Sequence, residues 1–228
     1  MFDIKSVPLP NYSRKEDIAN SISHLIGIPF CIIAMVLLLR LQLKGQMHAV
    51  DIFGTCLYLL STMCVFLVSG IYHGLKPGFA KQIARLIDHS DIYIMISGTV
   101  TALLICNRDI LNKKLAYAVI ALIWLFSVVG IVLTFMDLKK FNTPQIFMYV
   151  ALGWSAFIAM KPLWNMGQVG RNFVLSIIAG GLFITAGAVL YFIGKKKKYF
   201  HVVFHLFVLL GCICNFIGTY NYHSIILK

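Results

Sequence analysis

The chain has 228 residues, of which 60% are hydrophobic and 12% charged, with a mean hydropathy of +0.85. That balance excludes a soluble globular domain. Twenty Lys and Arg against eight Asp and Glu give a formal charge of +12, and with no basic-aromatic motif in view this fits an anionic membrane face rather than nucleic acid.

The first residues, MFDIKSVPLPNYSRKEDIAN, are polar and proline-bearing and lack the apolar core of a cleavable signal, so residues 1–19 are expected to form a cytoplasmic tail. Residues 20–228 are expected to form one transmembrane domain. Apolar runs at about 20–39, 50–73, 87–106, 114–135, 143–160, 173–193 and 201–226 predict seven spans, each long enough for a hydrocarbon core of roughly 30 Å. Hydrogen bonding in lipid forces such spans to be helical, so the expected class is an all-α integral membrane protein. Short polar segments between them predict antiparallel neighbours.

Seven is odd, and the two termini are then on opposite sides. Lys5, Arg14, Lys15, Lys76, Lys81, Arg85, Lys139, Lys140 and the run Lys195 to Lys198 share the N-terminal side, twelve of the 20 basic residues. The excess predicts a cytoplasmic N-terminus in the cell membrane, with the C-terminus outside. The lysine run is expected to be a solvated anchor facing lipid headgroups. The six cysteines fall inside apolar runs and are expected to pack as small residues.

Polar groups at membrane depth are costly, so each requires a reason. Glu16, Asn20 and His24 recur every fourth residue at the start of span one and form a stripe on a helix. Ser69 and His73 share a face at the end of span two, Asp88 and His89 open span three, and His201 and His205 open span seven. Alternating direction brings all four patches to one membrane face, on the side that the charge count makes cytoplasmic.

Two histidines at i and i+4 can grip one metal ion, and a third arriving from another span makes a three-nitrogen site with one position open. His73, His201 and His205 are the candidate ligands, with Asp88 to hold a water or orient a ligand and Ser69 to assist through its hydroxyl. Spacing leaves open the alternative that these are interfacial or helix-pairing histidines, and that Glu16 and Asn20 only cap the first helix. His48 and His223 are expected at the surface of the opposite face.

The motifs E16...N20...H24, SGIYH with Ser69 and His73, LIDHSDIYIMISGTVT with Asp88, and FHVVFHLFVLLG with His201 and His205 occur in this order along nearly the whole chain. Together they resemble the haemolysin III-related family, which includes the adiponectin and progestin receptors, and the short N-terminus is similar to its bacterial branch. The resemblance implies seven helices around Zn2+ held by His73, His201 and His205, with Asp88 and Ser69 around them. Many relatives carry a further histidine where this chain has Asn215, so that position's role does not carry over. Nothing in the sequence resembles a pore-forming toxin.

Two functions follow as expectations. One is a zinc-dependent hydrolase of a lipid amide, ceramidase-like, with metal-activated water as nucleophile and membrane lipids as its partners. The other is a receptor-like or membrane-homeostasis protein in which zinc is a structural clip. Transport is disfavoured, because the ionisable groups gather at one face rather than at the midplane.

Overall fold

The computed structural model describes residue 4, residues 7–194 and residues 197–228. Lys5, Lys195 and Lys196, counted above for orientation, lie outside the described residues. All secondary structure among the described residues is helical.

Helix α1 (Arg14–Leu25) begins before the apolar run, at a polar cap. The Glu16 backbone N–H donates to Ser13 Oγ (3.3 Å) and the Ser13 N–H donates to Glu16 Oε2 (3.0 Å), a reciprocal capping box. The chain stays helical through Ile26 into α2 (Gly27–Lys44). Helices α3 (Ala49–Gly74) and α4 (Phe79–Ile105) follow, joined through Gly78, whose φ of 155° favours glycine. Then come α5 (Lys113–Trp154), a 3-10 turn (Ser155–Ala159), the short α6 (Lys161–Trp164), α7 (Gln168–Gly194) and α8 (Phe200–Ile226).

Among the described residues, five helical segments are long and apolar enough to cross a membrane: Arg14–Lys44, Ala49–Gly74, Lys113–Ile158, Gln168–Gly194 and Phe200–Ile226. Their lipid-facing surfaces carry exposed Ile33, Leu125, Phe147 and Ile193. Helix α4 has 27 residues but holds Lys81, Arg85, Asp88 and Asp91 in its first half. Lys81 and Arg85, expected in a loop, are instead buried on this helix. For Lys81 the reason is a buried carboxylate, Asp17, that pairs with it.

The polar gap expected at 136–142 is helical except at Asp137 (φ −163°, ψ 90°), where α5 breaks. A straight 42-residue helix would be about 63 Å long, twice the hydrocarbon core. It is not straight. Gln145 Nε2 donates to Thr134 Oγ1 at 2.9 Å, although eleven residues of continuous helix would separate them by about 16 Å. Tyr93 of α4 packs with its ring tilted against Tyr149 on one limb (4.5 Å between ring centroids) and against Gly130 on the other. The limbs therefore fold back side by side against α4. The main apolar core gathers here, around Tyr93, Leu104, Ile123, Leu163, Phe173 and Tyr222.

Candidate metal centre

His73 lies in the last turn of α3, and His201 and His205 lie one turn apart at the start of α8. Their ligand atoms lie within 4.8 Å of one another, and no other group of three or more metal-binding side chains is found among the described residues. His73 Nε2 and His205 Nε2 are each 3.0 Å from His201 Nε2. His73 and His205 are fully buried.

The outer ring nitrogens settle which lone pairs face inward. His205 Nδ1 lies 3.2 Å from the Asn20 carbonyl oxygen, which can only accept, so Nδ1 carries the proton and Nε2 is the bare donor atom for a metal. Ser23 Oγ, 2.9 Å away, holds the same edge. His73 Nδ1 faces Asp17 Oδ1 at 3.4 Å, and the Lys81 ammonium holds the other oxygen of that carboxylate at 2.6 Å. His201 is set by ring packing: Tyr12 stacks on it with centroids 5.5 Å apart. Burial pushes the Tyr12 phenol above its ordinary range, so it stays neutral beside the site.

Two neutral imidazoles thus turn lone pairs toward a third at 3.0 Å. One proton on His201 can relieve one of these contacts but not both. A cation shared by all three relieves every one, and nitrogens bound to tetrahedral zinc at about 2.0–2.1 Å sit about 3.3 Å apart. The residues present fit a divalent ion in both spacing and protonation.

Helix register, rather than spacing alone, decides the supporting cast. Ser69 is buried one turn before His73, on the face of α3 turned toward the cavity that Asp88 also lines. Both line a cavity of about 180 Å³ that also touches His24, His89, His201 and His205. Asp88 is not among the grouped ligands. Beyond this polar end the walls are apolar, with Ile92, Ile96, Val100, Ile146, Ile184 and Val208. Glu16 caps α1 and its other oxygen accepts the Tyr199 N–H at 3.2 Å, tying the start of α8 to α1. Asn20 contributes its carbonyl rather than its amide. His24 stands edge-on to Phe66 and against His205, with 3.5 Å between the histidine ring centroids.

Asp17, Ser23, Lys81 and Tyr12 were not anticipated. Asp17 is adjacent to Glu16 in sequence, and a one-residue step of about 100° turns it toward α3. One expectation is corrected: His223 is not at the surface but buried at 1% exposure, with Gln42 Nε2 against its Nδ1 at 3.5 Å. Parity along the spans gives the membrane face a residue reaches, not the side of its helix.

A profile of the "Haemolysin-III related" family matches residues 12–216. The chain is 33% identical over 205 residues to "Hemolysin-3 homolog" of Bacillus subtilis (strain 168), covering 90% of this chain and 93% of that protein. It is 32% identical over 198 residues to "Hemolysin-3" of Bacillus cereus, covering 86% and 87%. No solved structure matches the chain at a significant level. The matched region contains every residue of the histidine centre and its partners, and the chain belongs to the haemolysin III-related family.

Proposed function

We infer that this protein is a seven-span membrane protein whose His73, His201 and His205 hold zinc at the cytoplasmic face, where it hydrolyses the amide bond of a lipid. The seven-span count takes the two limbs of α5 as separate crossings and adds α4. The single observation that carries the chemistry is a three-imidazole cluster with no fourth protein ligand among the described residues, opening onto an apolar cavity. Three protein ligands and an open position are the usual form of a catalytic zinc site.

Bound there, zinc supplies Lewis acidity toward a carbonyl and lowers the pKa of water at the open position. The protein's own groups do the rest. Asp88, on the cavity wall with Ser69, accepts a proton at its carboxylate as water attacks and can return it to the departing amine. The apolar walls take up an acyl chain and exclude bulk water. Asp17 and the Asn20 carbonyl keep the His73 and His205 lone pairs directed inward.

The test is turnover of a ceramide-like amide by the purified protein before and after chelation. Activity lost with the metal and regained with added zinc supports the reading. Equal turnover with and without metal ends it.

A second reading has its own support. The backbones of α3 and α8 do not pack on one another, whereas α1 packs on both. A cation shared by His73 and the α8 pair would then clip two helices across α1. A metal-free protein that loses thermal stability, with no amide turnover in either state, favours the clip.

A further inference from the structure

At the opposite ends of the helices from the triad, α3, α4, α7 and α8 enclose a second cavity of about 40 Å³. Its polar wall includes Thr55, Cys106, Asn107, Asn215, Thr219 and His223. His223 and Asn107 are 1% and 2% exposed, and neither His223 Nε2 nor Asn107 Oδ1 has a hydrogen-bond partner among the described residues. Each such orphan is destabilising if nothing satisfies it. Two of them on one small cavity mark a ligand.

The neighbours fix what each atom offers. Asn107 Nδ2 donates to the Leu103 carbonyl at 2.8 Å, which leaves Oδ1 as the free acceptor. The Gln42 amide nitrogen, a donor only, bonds Thr55 Oγ1 at 2.7 Å and reaches His223 Nδ1 at 3.5 Å. With Nδ1 accepting, the neutral ring carries its proton on Nε2. The cavity therefore presents one N–H donor and one carbonyl acceptor. A cation would be repelled by the N–H and an anion by the carbonyl oxygen, and the nearby charges of Asp51 and Arg108 are paired with each other.

We propose that this cavity is a water-binding site, in which ordered water accepts from His223 Nε2–H and donates to Asn107 Oδ1. A single water needs about 10–15 Å³ of such space and two to four polar partners, so the cavity suits water and excludes larger organic molecules. Asn215, whose Oδ1 also lacks a partner, walls both this cavity and the larger one, as do Tyr58, Thr99, Leu103 and Ile177. The water site thus abuts the far end of the apolar cavity and gives it a polar terminus at the membrane face opposite the triad. None of this depends on a metal.

Pulsed X-ray hydroxyl-radical labelling of the full chain in nanodiscs tests the site, because side chains beside ordered water are oxidised fastest. Cys106 lines the cavity, whereas Cys31 is fully buried among Phe66, Val208 and Cys212. Cys106 is half-buried and should be oxidised faster than the fully buried Cys31 in any case, so the site is read from the variants: Asn107→Leu and His223→Phe should each slow Cys106 oxidation several-fold while leaving the Cys31 rate unchanged. Should one variant fail to fold, the other carries the comparison. Equal rates for Cys106 and Cys31, or a Cys106 rate untouched by the substitutions, overturns the proposal.

Discussion

Asp17 Oδ1 lies 3.4 Å from His73 Nδ1, so a carboxylate from the first helix orients a candidate ligand near the end of α3. Carboxylate–imidazole–metal arrangements of this kind raise ligand basicity, and losing the carboxylate usually costs about 10–100-fold in metal affinity. Asp17→Asn is expected to weaken metal binding by that order, read by competition with a fluorescent chelator. It also strands the buried Lys81 ammonium, so its stability should fall too. Asp17→Asn combined with Lys81→Met removes both charges, and should regain stability without regaining metal affinity. Full affinity in either variant would detach Asp17 from the site.

Protons and metal compete for the same three Nε2 lone pairs. Metal retention against a fixed chelator should therefore be high near neutral pH and fall as the solution is acidified, together for all three ligands. Atomic absorption after dialysis at a series of pH values reads this directly. Retention that rises toward acid would be inconsistent with imidazole ligands.

The break at Asp137 makes a prediction about topology. If the limbs of α5 cross separately, single cysteines placed at residues 76 and 139 should react with an impermeant maleimide from one side of sealed vesicles. Cysteines at 109 and 166 should react from the other. A cysteine at 139 that labels with the 109 group would mean that the α5 limbs do not form a two-crossing hairpin.

At Gly130 helix α5 packs directly against the Tyr93 ring. A Cβ added there would lie 2.1 Å from Tyr93 Cζ, and Tyr93 is fully buried among both α5 limbs. Overpacking of this kind typically costs about 1–3 kcal/mol, so Gly130→Ala should lower the thermal midpoint in detergent clearly. Gly153, with open space around its Cβ position, is the control and should tolerate alanine on packing grounds.

Much of the site could be read from the sequence because lipid makes polar residues conspicuous. His73, His201 and His205 stand out against apolar runs, and alternation of direction alone brings them to one face. What could not be read depends on rotation and register. Whether Glu16 or Asp17 faces α3 is decided by a single step around the helix. The burial of Lys81 depends on a partner 64 residues away. The turn at Asp137 carries no proline or glycine at the break itself, so in the sequence the two limbs separate only by length and charge, and it takes the Gln145 to Thr134 hydrogen bond and the shared packing on Tyr93 to reveal the fold-back.

The account rests on one cation shared by three rings, and elemental analysis of the purified full chain tests that most directly. Wild type and Asp88→Ala are expected to carry close to one equivalent of a divalent metal, with His73→Ala, His201→Ala and His205→Ala each falling well below it. A wild-type protein that binds no metal when supplied with zinc, or histidine variants that bind as much as wild type, would contradict it.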